Sequence, residues 1–209
     1  GDEIIQEIRS VGGPAFSLTG MMSRAEGVLR VDILKGEDAT EGCIRTQALR
    51  HVIIGIDNTD RLEEGATFAL AIALLDYLSE LSGTFPIGHH IAMLWQALPE
   101  KTAGNSCSSI ELAVVPEKLE LIRKAAVRFV GDESVSDGWG IAIKTGFIIP
   151  DLLHQYGLKA RTGLITCKEA RQCARECGIY TYGGQGIIGS LAAIGLAHEP
   201  EETIITPDF

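Results

Sequence analysis

Nowhere in the 209 residues is there an apolar run near the roughly 20 residues that span a bilayer. The longest, such as Phe68 to Leu75, stop far short, so no membrane segment is expected. A charged-then-apolar leader with a small-residue cleavage site is also lacking, which points to a cytoplasmic protein. The chain begins at Gly1 rather than Met, as expected of a processed or excised domain. Basic residues are scarce: 18 Lys and Arg face 28 Asp and Glu, a net charge of −10. Proteins that grip nucleic acid through its phosphates are usually basic over at least one face. The densest basic run, Lys159 to Arg175, is interrupted by Glu169 and followed by Glu176, so tight RNA binding by this chain alone is doubtful. No C-x-x-C pair occurs among Cys43, Cys107, Cys167, Cys173 and Cys177, and reduced thiols are expected. Cys173 and Cys177 share a helix face, and with Cys167 they leave a metal reading open. Repeats, low-complexity segments and a nucleophile–His–acid arrangement are lacking as well.

What is present reads as strands and helices in one globular protein. Glu3 to Ile8 and Val28 to Leu34 look like strands, separated by a turn at Gly12-Gly13-Pro14 and followed by a charged turn over Gly36 to Ala39. Residues 1–50 are expected to form a β-rich N-terminal extension or subdomain, and 51–209 the main region. Val52-Ile53-Ile54-Gly55-Ile56 is a continuous apolar run that fits a strand buried on both faces. Phe68, Ile72, Leu75 and Leu78 give Gly65 to Leu81 a helical period. Further strands are predicted over His90 to Leu98, Ser109 to Val115, Gly140 to Lys144 and Leu164 to Thr166. Helices are predicted from Pro116 to a stop at Gly131, from Pro150 to Tyr156 before Gly157, from Lys168 to Cys177, and from Ile187 to Leu196. The fold class is α/β of mixed α and β content, a mixed sheet with helices packed on it, in one or two subdomains.

Three stretches carry the chemistry. Asp57-Asn58-Thr59-Asp60 ends the apolar strand with two carboxylates around an amide and a hydroxyl, a donor set that suits magnesium. The same residues also suit a plain turn before a helix. In Lys101-Thr102-Ala103-Gly104-Asn105, a lysine beside a glycine loop can meet phosphate, or can be an ordinary solvated lysine. Gly184-Gln185-Gly186-Ile187-Ile188-Gly189 opens a helix and can bind phosphate there, or can let the helix pack tightly. A dinucleotide-binding unit needs a further strand and acid about 20 residues on. Only Thr203 to Phe209, with Asp208 at the tail, remains. Of the histidines, His89 and His90 would point to opposite faces of a strand, while His51 and His154 stand alone.

Four segments in order resemble the archaeal isoleucine-tRNA agmatinylcytidine synthetases, whose kinase-like domain has the motifs Gly-Ile-Asp-Asp-Thr-Asp, Gly-Met-Cys-Thr-Thr, Lys-Thr-Arg-Gly-Asn and a Gly-Ile-Ile-Gly helix start. Here they read Gly55-Ile56-Asp57-Asn58-Thr59-Asp60, Gly65-Ala66-Thr67, Lys101-Thr102-Ala103-Gly104-Asn105, and Gly186 to Gly195. The Gly65-Ala66-Thr67 variant and the N-terminal extension look closer to methanogenesis marker protein 11. The resemblance implies an ATP- and magnesium-dependent, kinase-like transferase of a methanogenic archaeon, with a nucleotide partner and an unknown small-molecule or protein acceptor. It implies magnesium on Asp57 and Asp60, and catalytic roles for those two, Lys101 and Thr67, the last matching a self-phosphorylated threonine. Asn58, Thr59, Gly104, Asn105, Gly184, Gly186 and Gly189 would contact the nucleotide. Asn58 and Ala103 depart from the family's Asp and Arg, and the acidic balance leaves tRNA binding doubtful. A non-catalytic nucleotide-binding assembly or maturation partner, and a tRNA-modifying enzyme, are the alternatives.

Overall fold

A computed structural model describes residues 2–11, 19–25, 27–36, 39–99, 101–102, 104–199 and the backbone of 202–204. The turn at Gly12-Gly13-Pro14, Ala103 and Asp208 lie outside the described residues. The chain divides into two compact units, Gly1–Leu49 with Val115–Glu117, and Arg50–Val114 with Lys118–Phe209. The first unit is an antiparallel sheet of β1 (Glu3–Ser10), β2 (Val28–Lys35) and β3 (Thr40–Gln47), in the order β1-β3-β2. Strand β3 escaped the sequence reading because Ile44 is its one large aliphatic residue, although that side chain is wholly buried. Central position, not composition, makes it a strand.

The second unit contains β4 (Arg50–Asp57), β5 (Thr84–Met93), β6 (Ser106–Val114), β7 (Gly140–Thr145), β8 (Tyr180–Gly183) and β9 (Glu202–Ile204). Their order is β8-β7-β4-β6-β5-β9, and every pairing is antiparallel. Helices α1 (Thr67–Ser79) and α2 (Leu119–Glu133) cover one face. Helices α3 (Asp151–Thr162), α4 (Cys167–Glu176) and α5 (Ile187–Gly195) cover the other. Double coverage explains the unbroken apolar run of β4. Val52, Ile54 and Ile56 pack toward α1 and α2, whereas Ile53 packs toward α3 and α5. Fully burying each such side chain contributes about 1.5–3 kcal/mol. The expected α/β class, mixed in α and β content, holds.

Several element limits differ from those predicted. Helix α3 runs straight through Gly157, where a Cβ would stand 2.8 Å from the Leu196 side chain. Gly195 is as tight, its Cβ position lying 2.4 Å from the Leu153 carbonyl oxygen. These glycines mark a helix crossing, not a helix end. Helix α2 likewise continues past Gly131, which lies under the Trp139 ring. Leu164 to Thr166 is not a strand. Thr166 caps α4 in a reciprocal box, its hydroxyl accepting from the Glu169 amide while the Glu169 carboxylate accepts from the Thr166 amide. Strand β5 begins six residues earlier than predicted and ends at Met93.

Candidate functional site

Asp57 is the last residue of β4, the strand at the middle of the sheet, and Asn58 turns the chain sharply there at φ 56°. Asparagine tolerates this left-handed conformation better than most residues. Its amide nitrogen donates to the Gly138 carbonyl over 3.1 Å, which holds the turn. Thr59 is buried and donates its hydroxyl to Thr67 Oγ1 at 3.0 Å. Thr67 opens α1 and donates to Asp60 Oδ1 at 3.3 Å. From the 101–105 stretch, the Thr102 hydroxyl donates to the other Asp60 oxygen at 3.2 Å. Asp60 is thus fixed by hydroxyls from two separate segments.

The glycine turn closes in from the far end of the chain. A Cβ on Gly189 would stand 2.0 Å from Asp57 Oδ2, and one on Gly186 would stand 2.4 Å from the Asp57 carbonyl oxygen. Helix α5 can lie this close because Gly55 and Gly140 beneath it also lack side chains, each Cβ position falling 2.0 Å from the helix backbone. Burial pushes the Asp57 carboxyl up to about 7, the backbone bond with Asn58 opposes this, and the Asp60 charge adds to it. The carboxyl is packed deep while part of its surface remains open.

These segments enclose one cavity of about 440 Å³, within the roughly 300–1,000 Å³ of small-molecule sites. Asp57, Asn58, Asp60, Thr67, Lys101, Gly104, Asn105 and Gly189 all line it. Thr59, Gly184 and Gly186 do not. Lys101 donates its ammonium to the Gln96 carbonyl at 2.7 Å, and the Asn105 amide donates to the Trp95 carbonyl at 2.8 Å. Gln185, from the glycine stretch, lines it too, and the polar or aromatic lining residues outside the three stretches include Arg61 and Trp95. Arg61 follows the acidic turn directly, so its place beside two carboxylates was the signal available. Trp95 carries no such signal, because only folding brings it in.

The histidines lie elsewhere. His51 and His90 flank the buried Glu111 carboxylate at 2.7 and 3.1 Å, toward the other end of β4. His89 points to the opposite face and is wholly buried; burial, with His90 nearby, lowers it to about 4. His154 meets Glu199 at 3.1 Å. The five cysteines are unbonded, and among the described residues no group of three His, Cys, Asp or Glu side chains is disposed to hold a metal. Among those residues, too, no helix is long and apolar enough to cross a membrane.

No family model matches the chain. The uncharacterized protein MJ0921 of Methanocaldococcus jannaschii is 33% identical over 180 residues, 83% of this chain and 60% of that protein. The isoleucine-tRNA 2-agmatinylcytidine synthetase TiaS of Pyrococcus horikoshii is 30% identical over 149 residues, 68% of this chain and 35% of the synthetase. That of Pyrobaculum neutrophilum is 28% identical over 157 residues, 73% of this chain and 36% of the synthetase. The chain is a homologue of these synthetases. It spans just over a third of the length of TiaS. The crystal structure of TiaS in complex with its isoleucine tRNA and ATP shares its fold, with a TM-score of 0.62 at 24% identity over 71% of this chain and 36% of that one. The crystal structure of a tRNA fluorescent labeling enzyme gives 0.61 at 23% identity, over 69% and 36%. None of these relatives bears on the narrower likeness to methanogenesis marker protein 11.

Proposed function

We propose that this chain is the ATP-using domain of a tRNA-modifying enzyme, and that its cavity activates an RNA group by phosphoryl transfer. The observation that carries the reading is the convergence of the acidic turn, the 101–105 stretch and the start of α5 on one cavity, in a homologue of TiaS. The TiaS complex with tRNA and ATP contains both partners this reading needs. Doubt about tRNA drawn from net charge carries less weight than this homology, because overall charge does not describe a local surface.

Donor chemistry in the cavity fits magnesium and a triphosphate. Asp60 is close enough for its charge to disfavour that of Asp57, and a divalent cation relieves that repulsion. Magnesium keeps part of its water and takes few carboxylates, so two are enough. When bound, it would neutralise charge on the transferred phosphoryl group. In this reading Asp57 and Asp60 hold the metal, and Thr67 and Thr102 keep Asp60 in one orientation. Lys101 and Arg61 supply positive charge to the phosphates, Arg61 standing in for the arginine that is Ala103 here. Asn58, Gly104, Asn105 and Gly189 face the nucleotide, while Thr59, Gly184 and Gly186 shape the walls from behind. Thr67 is the candidate for self-phosphorylation. An ATP-dependent step on tRNA would place the protein in the cytoplasm.

Isothermal titration with ATP and magnesium tests the reading. Wild type is expected to bind and Asp57→Asn to lose binding by about 10- to 100-fold or more, the scale seen even for residues that only support metal ligands. Absence of binding by folded wild type would refute it. A small-molecule or protein acceptor, which the acidic balance favours, is separated by incubating the protein with labelled ATP and either tRNA or extract freed of RNA. Label on tRNA supports the proposal; label on small molecules or proteins alone overturns its RNA half. Mass spectrometry of the same samples reports on Thr67, and a phosphate there rules out an inert nucleotide-binding partner.

A further inference from the structure

A second cavity, of about 680 Å³, wraps around the outer edge of β8, lined in part by Trp139, Tyr182, Thr181, Gly184, Arg171 and Arg175. Strand β8 ends the sheet and pairs only with β7 among the described strands. On this edge the Trp139 and Tyr182 rings lie 5.8 Å apart at 37°. Tyr182 is 54% exposed, so one part of its ring is open to a stacking partner. Next along the strand, the Tyr180 ring is capped by the Arg123 guanidinium at 4.5 Å.

Arg171 and Arg175 lie one turn apart on α4 and face the same cavity. Neither meets a carboxylate among the described residues, although Arg175 leans on the Gln172 amide. Asp137 also lines the cavity, but its charge is shared with Arg61 at 3.3 Å. In a chain of net charge −10, two such guanidiniums beside the exposed Tyr182 and the half-buried Trp139 form a local exception. They also close the densest basic run of the sequence. An exposed ring backed by a second aromatic and flanked by arginines suits unpaired bases: each base offers a face to stack on, and the backbone phosphates meet the guanidiniums.

We infer that the β8 edge is a stacking platform for single-stranded RNA, with Tyr182 and Trp139 under the bases and Arg171 and Arg175 on the backbone. This rests on the tRNA-modifying reading, because it assigns the RNA of that reading a surface. The platform borders the ATP cavity through one turn: Gly184 lines the platform, Gln185 and Gly189 the ATP cavity. A strand laid on this edge therefore passes within a few residues of Asp57.

The two tryptophans, Trp95 and Trp139, make the sites separately observable, since Trp95 lines the ATP cavity and Trp139 the platform. A pyrimidine RNA of about ten nucleotides, the size of such sites, is titrated into the full chain carrying Trp95→Phe. Quenching of Trp139 emission is expected. By anisotropy with labelled RNA, Tyr182→Ala should weaken binding about ten-fold and Tyr182→Phe less than about two-fold. Arg171→Ala with Arg175→Ala should lower the slope of log affinity against log salt by about 1.4. Calorimetry with ATP and magnesium should be unchanged in Tyr182→Ala. Equal affinity of all variants overturns the platform, as does an equal loss in Tyr182→Phe and Tyr182→Ala. Absence of RNA binding at low salt overturns both the platform and the RNA half of the proposed function, but not ATP binding. If ATP binding fails while RNA binding depends on Tyr182, the platform stands and the ATP reading falls.

Discussion

Gly189 and Asp57 show how little room single residues have at the cavity. Because a Cβ at Gly189 would sit 2.0 Å from Asp57 Oδ2, Gly189→Ala must displace either the carboxylate or the helix. Overpacking of this kind costs about 1–3 kcal/mol, readable by urea unfolding, and ATP affinity should fall with it. Asp57 itself stores cost: its buried charge is disfavoured by desolvation and by Asp60. Asp57→Asn is therefore expected to raise the unfolding midpoint of the ligand-free protein at neutral pH while removing ATP binding, the exchange of stability for function common at active sites. An unchanged or lowered midpoint would contradict that account.

Among the elements, β4 and β6 join the cavity to a polar cluster at the other end of the sheet. Desolvation alone would raise the Glu111 carboxyl, yet hydrogen bonds from His51 and then His90 outweigh it and hold it down at about 2. A depressed acid stabilises the fold above its unfolded value near 4.5, and that contribution is lost as pH falls toward 2. Wild type should thus lose on the order of 2–3 kcal/mol more than Glu111→Gln between pH 5 and pH 2, measured by chemical denaturation at each pH. The sequence shows elements unevenly. Strand β4 was legible because burial on both faces leaves an uninterrupted aliphatic run, and α1 because its period is regular. Strand β3 and the full length of α3 were not. A central strand can be polar, and Gly157 looks like a stop until Leu196 is seen above it. The cavity was legible as three separate stretches, and the resemblance supplied their order. That they meet depends on α5 lying over Gly55 and Gly140, a relation between positions some 50 to 135 residues apart along the chain.

At the scale of the whole molecule, all residues around the cavity belong to the six-stranded unit. A ligand that binds only the folded form stabilises what it touches, by about 2.7 kcal/mol at 100 times its dissociation constant. ATP with magnesium should therefore slow amide exchange in β4, α1 and α5 and leave β1 to β3 unchanged; equal protection of both sheets would contradict the assignment. The near-contact of backbones between α5 and β4 has one more consequence. Gly55, Gly140 and Gly189 form a triplet in which any added methyl is a collision, whereas the acidic turn can exchange Asp for Asn and still close. Distant members of this lineage should then be easier to detect by those three conserved gaps than by their carboxylates. A saturation library scored for folding alone should find the same positions blank while the rim at Arg61 and Gln185 drifts.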